Sequence, residues 1–271
     1  MCMRLGTTVA HMTTAAQRWR EDLAAWAIPP EILAQAPESP WIHPVAMFTV
    51  DRAISDSPSH MRARECLRAG ESVLDIGCGG GRAAMALVPP AAHVIGVDHQ
   101  AGMLEHFAAA AVDRGASHEE VLGDWPESSP RTPMADVVVC HHVAYNVADV
   151  VPFLAALTAH ARRRVVVEIP TTHPLSSMAP LWRQFWDLQR PVGPTAEDLL
   201  QVAREAGIDA SMHTWIDESF SATSKTSAEE QARFMRIRLC LESGREPEIA
   251  AAMAAAGPPP ARETATLWWD V

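Results

Sequence analysis

Two adjacent histidines, His141 and His142, follow an apolar run that is typical of a buried strand, and His173 follows the next such run. Histidine is the side chain whose ordinary pKa lies nearest to neutral pH, so it can take up or release a proton there. Residues that directly follow the strands of an open α/β sheet surround its ligand site. We therefore expect a general base among these three, with His142 as the first candidate. The alternative for each ring is a structural role, satisfied by backbone carbonyls.

The glycine-rich segment Gly77-Cys78-Gly79-Gly80-Gly81 predicts a ligand-binding turn. The apolar residues Val73, Leu74 and Ile76 precede it, as in a buried parallel strand, and an alanine-rich helix follows it. The glycines remove the Cβ atoms that would keep a ligand away from the backbone. Free N–H groups and the positive end of the helix dipole meet at this turn, which favours an anionic or polar group of a ligand.

Acidic residues complete this pattern, since Asp75 lies inside the first strand and Asp98 ends the second. With the glycine turn they resemble the class I S-adenosylmethionine (SAM)-dependent methyltransferases, over about residues 70 to 170. In that family the turn lies under the methionine and ribose of SAM, and the acid that ends the second strand binds the ribose hydroxyls. The resemblance implies SAM as cofactor and the following cofactor-binding residues: Asp75, Gly77, Cys78, Gly79, Asp98, His99, Asp124, Trp125 and Cys140.

Three of these residues, Asp124, Trp125 and His99, also fit a role that involves no cofactor. Asp124 matches the position from which family members hydrogen-bond the adenine amino group, and Trp125 beside it is expected to form an apolar wall for the adenine. The alternative for this pair is a turn with an exposed tryptophan. His99 is equally compatible with an ordinary surface position.

Two other functions fit part of the same motif. Gly79-x-Gly81-x-x-Ala84 satisfies the fingerprint of dinucleotide sites, with an acid about 20 residues further on. An NAD-dependent oxidoreductase is nevertheless disfavoured, because the third position counted from Gly77 is Arg82 and because Asp75 is foreign to that pattern. A catalytically inactive SAM-binding regulatory protein is the other alternative, and turnover of SAM would distinguish it from an enzyme.

The residues after the fourth strand indicate the kind of methyl acceptor. Family members that methylate amino groups of nucleobases or glutamine usually carry an Asn/Asp-Pro-Pro-aromatic sequence there, whereas this chain has two histidines and no proline between residues 141 and 146. The resemblance therefore implies a small-molecule acceptor, with O, N, S or C as the methylated atom. The transfer is an in-line attack that needs no metal. The expected substrate-binding residues are Tyr145, Trp182, Trp41 and His43, although Trp182 also has the spacing of a core residue.

The elements that must position these residues alternate between strands and helices. Strands are predicted near 72–76, 93–98, 118–122, 135–140 and 163–169, and a terminal antiparallel pair near 208–220 and 264–271. This pattern predicts an α/β, Rossmann-like, seven-stranded and mostly parallel sheet flanked by helices. Residues 1–69 are predicted to form an N-terminal helical cap or lid, with a last helix over 62–69, and residues 70–271 the SAM-binding methyltransferase domain.

Composition restricts the partners. The 271 residues carry a formal net charge of −11, which disfavours a nucleic-acid partner because such binding depends on Lys and Arg that neutralise phosphates. The five cysteines show no metal-ligand spacing, and no apolar run is long enough for a membrane span. We therefore expect a cytoplasmic protein with no metal and no membrane partner, and the oligomeric state stays open.

Overall fold

One sheet of seven strands organises the computed structural model, which describes residues 13–41, 56–218, 227–257 and 261–271. The strands are β1 (Ser72–Ile76), β2 (His93–Asp98), β3 (Ser117–Leu122), β4 (Ala135–His141), β5 (Ala161–Pro170), β6 (Ser211–Asp217) and β7 (Arg262–Asp270). Their order is β3-β2-β1-β4-β5-β7-β6, and only β7 runs antiparallel to its neighbours β5 and β6. The predicted Rossmann-like, mostly parallel sheet is confirmed.

Helices cover both faces of this sheet. They are α1 (Ala15–Ala25), α2 (Pro30–Leu33), α3 (Pro58–Arg64), α4 (Arg82–Met85), α5 (Ala101–Arg114), α6 (Val150–His160), α7 (Ala179–Trp186), α8 (Ala196–Glu205), α9 (Ala228–Arg238) and α10 (Glu246–Ala256). Successive side chains of a strand point to opposite faces, so Leu74 and Ile76 of β1 pack under α6 and α8 while Val73 packs under α4 and α5. The central strands are therefore apolar throughout. No helix in the described ranges has the length and apolar character needed to span a membrane.

Helix ends follow local side-chain chemistry. Thr195 caps α8, because its hydroxyl accepts the N–H of Asp198 while the Asp198 carboxylate accepts the N–H of Thr195. The predicted helix over 62–69 is wrong in its bounds, since α3 begins at Pro58 and ends at Arg64. Ser57 caps α3, and the His60 ring replaces the usual glutamate of the capping box by accepting the N–H of Ser57.

The N-terminal helices contact the sheet in two places. Trp19 of α1 is fully buried in the core cluster that includes α6 and α8, and its Nε1 donates to the carbonyl of Val147 at 2.8 Å. Ser59 of α3 hydrogen-bonds Thr266 of β7 at 2.6 Å, hydroxyl to hydroxyl. The boundary predicted at residue 69 stays a prediction, and residues 1–12 and 42–55 of the predicted N-terminal cap lie outside the described residues.

Candidate functional site

The glycine turn and Asp98 lie side by side because β1 and β2 pair in register up to Ile76 and Val97. Gly79 N–H donates to Asp98 Oδ2 at 3.0 Å, and Gln100 N–H donates to Oδ1 at 2.9 Å. The carboxylate is buried, and no Arg or Lys of the described chain lies within ion-pair distance of it. Each carboxylate oxygen keeps acceptor capacity, which suits the paired hydroxyls of a ribose.

Gly77 is required by the protein itself as well as by the proposed ligand. Its φ is +67°, and a Cβ at this position would lie 2.4 Å from Val143 Cγ2. The turn after β1 is therefore in van der Waals contact with the segment after β4. This contact brings the glycine turn next to the residues that follow His142.

Asp75 holds the glycine turn from below and does not reach its open side. Its side chain is buried and accepts the N–H of Ala84 in α4 at 3.1 Å. Burial raises the pKa of Asp75 to about 7, the hydrogen bond from Ala84 opposes this rise, and the charge of Asp98 adds to it. The residue thus ties β1 to α4.

The structure places the other predicted cofactor residues in different environments. Asp124 is exposed just after β3, where the N–H of Gly123 donates to the carbonyl of Asp98 at 2.9 Å. His99 is exposed, with its Nδ1 3.8 Å from Asp98 Oδ1. Both side chains lie at the same edge as Asp98.

Three predicted side chains pack towards the protein interior. Trp125 is half-buried and packs edge-to-face on His160, the last residue of α6, with ring centroids 4.9 Å apart. Cys140 is fully buried in the core cluster that includes α6 and α8. The thiol of Cys78 is buried and donates to the carbonyl of Gly79 at 3.4 Å, so only the backbone of Cys78 lies in the turn.

The buried carboxylate of Glu168 in β5 lies next to both adjacent histidines. The sequence analysis did not identify this residue. His141 is paired with it in register across β4 and β5. His142 has a left-handed φ of +62°, which turns the chain back so that its N–H donates to the Glu168 carbonyl at 2.7 Å and its Nε2 lies 3.1 Å from Glu168 Oε1. Ser57 Oγ donates to the other carboxylate oxygen at 3.1 Å.

Both ring nitrogens of His142 are occupied. Nε2 donates to the Glu168 carboxylate, and Nδ1 lies 3.1 Å from Nη2 of Arg262, which can only donate. His141 differs, because its Nδ1 is 3.7 Å from Glu168 Oε1 while its Nε2 is buried without a partner among the described residues. The structure therefore favours His141 over His142 as a residue with a free ring nitrogen.

Burial sets the charges of this cluster. It lowers the pKa of His141 to about 3 against the opposing charge of Glu168, and it lowers the pKa of His60, whose ring stacks on that of His141. Burial alone would raise the pKa of Glu168, but His141 and the hydrogen bond from His142 outweigh it and hold that pKa well below its ordinary value. At neutral pH the cluster contains an anionic Glu168 and neutral His60 and His141 rings.

His173 lies in an aromatic column and not with Glu168. Its ring stacks on Trp26 at 4.1 Å between centroids and meets Tyr145 edge-to-face at 5.3 Å, and Tyr145 stacks on Trp19. The His173 Nδ1 accepts the N–H of Leu175 at 3.3 Å, and burial lowers the pKa of His173 to about 4. Tyr145 is also committed, since its hydroxyl donates to the carbonyl of Pro170 at 2.9 Å. The column joins α1 to the loop after β5.

The two remaining substrate candidates lie together. Trp182 of α7 is buried and Trp41 is half exposed, and both line a narrow crevice with Arg190 and Arg238. The guanidinium of Arg190 lies over the Trp182 ring, 5.2 Å from its centroid. His43 lies outside the described residues. In the described part of the chain, no cluster of His, Cys, Asp or Glu is arranged to hold a metal ion.

The sheet order, the glycine turn between β1 and α4 and the acid at the end of β2 form the arrangement that class I methyltransferase domains share. Residues 73–164 match the family described as a methyltransferase domain, which confirms the predicted resemblance to the SAM-dependent methyltransferases. SAM is the cofactor of that family, in agreement with the cofactor that the resemblance implies.

Individual relatives agree with this class. The uncharacterized methyltransferase YcgJ of Bacillus subtilis is 28% identical over 117 residues, which are 42% of this chain and 46% of YcgJ. The match thus spans about half the length of that relative. The crystal structure of YcgJ gives a TM-score of 0.51 at 17% identity, covering 78% of this chain and 97% of YcgJ. A SAM-dependent methyltransferase from Geobacter sulfurreducens, solved with S-adenosyl-L-homocysteine, gives 0.53 at 15% identity, covering 85% and 98%. At these identities the structural likeness establishes the fold.

Proposed function

We propose that this chain is a SAM-dependent methyltransferase that acts on a small-molecule acceptor. The observation that carries the proposal is the buried Asp98 carboxylate at the end of β2, fixed by two backbone N–H groups beside the glycine turn and with no Arg or Lys of the described ranges within ion-pair distance. The methyltransferase-domain match over residues 73–164 supports it, as does the Geobacter sulfurreducens structure with its bound S-adenosyl-L-homocysteine.

Each residue at this edge has a role in holding the cofactor. Asp98 binds the ribose hydroxyls, the backbone of Gly77 to Gly79 lies under the methionine part, and Asp124 accepts a hydrogen bond from the adenine amino group. SAM supplies an activated methyl group, so the protein contributes mainly by alignment. Alignment of two reactants is worth on the order of 7–11 kcal/mol in favourable cases.

The acceptor side of the site is the Glu168 cluster. The contact between Gly77 and Val143 joins the cofactor turn to the segment that carries His141 and His142, so a small acceptor bound there lies close to the cofactor. The net charge of −11 disfavours a polyanionic acceptor such as a nucleic acid. These features support a small-molecule acceptor.

Isothermal titration calorimetry with S-adenosyl-L-homocysteine tests the proposal, with NAD as the matched competitor ligand. We expect S-adenosyl-L-homocysteine to bind and NAD to produce no heat of binding. Release of S-adenosyl-L-homocysteine from SAM on addition of a low-molecular-mass metabolite fraction would then establish an enzyme. Binding of NAD alone would refute the methyltransferase assignment, and cofactor binding without turnover in any fraction would favour the regulatory alternative.

A further inference from the structure

Two buried imidazole nitrogens, Nε2 of His60 and Nε2 of His141, have no hydrogen-bond partner in the described part of the chain. The His60 residue is 5% exposed and the His141 side chain 9% exposed. Their rings are stacked, with centroids 5.4 Å apart and planes inclined by 26°. The great majority of buried polar atoms in proteins are paired. Two such atoms on adjacent rings indicate that a polar group from outside these residues pairs with them.

The neighbours of each ring fix where its proton lies. His60 Nδ1 accepts the N–H of Ser57 at 3.2 Å, so the proton of the neutral ring is on Nε2. His141 Nδ1 lies 3.7 Å from the anionic Glu168 carboxylate, whose charge favours the tautomer with the proton on Nδ1 and a lone pair on Nε2. The pair of rings thus offers one hydrogen-bond donor, from His60, and one acceptor, on His141.

This donor and acceptor lie close to the cofactor turn. Arg82 directly follows Gly81, and burial lowers the pKa of both His60 and His141, with a smaller contribution in the same direction from the charge of Arg82. His141 is also the last residue of β4, two positions before Val143, which is the residue that contacts Gly77. The ring pair therefore lies between the glycine turn and β5.

A hydroxyl is the reacting group that matches this arrangement. It donates one hydrogen bond, to His141, and its oxygen has two lone pairs, one of which can accept from His60 while the other stays free for the methyl group. A neutral amine has a single lone pair, which the His60 donor would occupy. A carboxylate has no proton to donate to His141, and a thiol is weak both as donor and as acceptor.

We propose, on the basis of the methyltransferase function above, that His60 and His141 bind the reacting hydroxyl of a neutral alcohol or phenol, and that the chain is an O-methyltransferase. Methylation of the hydroxyl oxygen releases its proton, which His141 Nε2 takes up. The oxygen gains the methyl group of SAM, and the electron pair of the broken carbon–sulfur bond stays on sulfur. Glu168 is a positioning residue that keeps the His141 proton on Nδ1 and stabilises the ring when it becomes charged.

NMR spectroscopy of the full chain with ¹⁵N-labelled histidine rings, in complex with S-adenosyl-L-homocysteine, tests this site in the wild type. We expect the Nε2–H tautomer for His60 and the Nδ1–H tautomer for His141. Phenol and methanol as probes should shift the Nε2 resonances of both rings, and aniline and benzoate should act at least about 10-fold more weakly. The proposal would be overturned if both rings had the same tautomer, or if neither hydroxyl probe shifted the Nε2 resonances. In that case a bound water would be the hydrogen-bond partner of the two nitrogens.

Variants separate the parts of the proposal. His141→Gln should abolish the response of His60 to phenol, whereas His106→Gln, an exposed ring in α5, should leave it unchanged. Glu168→Gln keeps the size of the side chain but should move the His141 proton towards Nε2, and an unchanged tautomer would refute the positioning role. Calorimetry distinguishes failure of the hydroxyl site from failure of the methyltransferase function. If the chain does not bind S-adenosyl-L-homocysteine, the methyltransferase function is refuted. If it binds S-adenosyl-L-homocysteine but the two histidine resonances do not respond to the hydroxyl probes, only the hydroxyl site is refuted.

Discussion

Replacement of Asp98 by alanine removes the carboxylate that joins the glycine turn to the end of β2. The variant loses the hydrogen bonds to the ribose, and a bond to a charged acceptor contributes about 1.5–3 kcal/mol. It also frees the N–H groups of Gly79 and Gln100, which the carboxylate holds at 3.0 and 2.9 Å, so the turn loses its support. We expect the affinity for S-adenosyl-L-homocysteine to fall by about 10- to 150-fold.

Calorimetry measures this loss, and two further variants make it interpretable. Asp98→Asn keeps one acceptor oxygen and the shape of the side chain, so its affinity should lie between those of the wild type and the alanine variant. Asp113→Ala removes the same charge from an exposed position of α5 and should bind as the wild type does. A folded Asp98→Ala variant with wild-type affinity would refute the assignment of the ribose site.

The remaining predictions concern stability, chemistry and motion. Because the pKa of Asp75 is raised to about 7, the folded state holds a proton that the unfolded state loses near pH 4, so the free energy of unfolding should fall as pH rises from about 4 to about 7. Asp75→Asn should remove about 4 kcal/mol of this pH-dependent fall, measured by denaturant unfolding. Gly77→Ala should destabilise the fold by at least about 1–2 kcal/mol, because it combines a positive φ with the clash on the neighbouring segment, and an unchanged denaturation midpoint would contradict the described turn. Once an acceptor is known, His141→Gln should lower turnover by about 10²–10⁴-fold at unchanged cofactor affinity, whereas His142→Gln should mainly lower the melting temperature; the opposite pattern would restore His142 as the base. Hydrogen exchange should show that residues 13–56 gain protection when S-adenosyl-L-homocysteine binds, and equal protection in both states would end the lid hypothesis.

The backbone of the site could be predicted because it is encoded locally. The run from Val73 through Gly81 specifies strand, turn and helix within ten residues, and Asp98 ends the next apolar run. In parallel sheets the carboxyl ends of such strands meet at one edge, so these positions converge whatever the side chains elsewhere do.

The proposed acceptor side could not be predicted because its residues come together only through tertiary packing. His60 lies far from His141 in the chain, and the two rings meet because α3 packs over β5 and β7. Glu168 was hidden in an apolar strand, although a lone carboxylate among Val167 and Ile169 is itself a signal of a buried partner. The role of Trp125 as an adenine wall stays a prediction, and its sequence position beside Asp124 does not reveal the edge-to-face contact of its ring with His160 of α6.

The contact between Gly77 and Val143 also matters for engineering. A Cβ at position 77 would come within 2.4 Å of the valine, so there is no room for a side chain at position 77 while residue 143 is valine. A side chain at position 77 would therefore distort the cofactor turn unless residue 143 is made smaller at the same time. Diversity is better introduced at exposed positions of the same edge, and position 143 is best varied only towards smaller side chains.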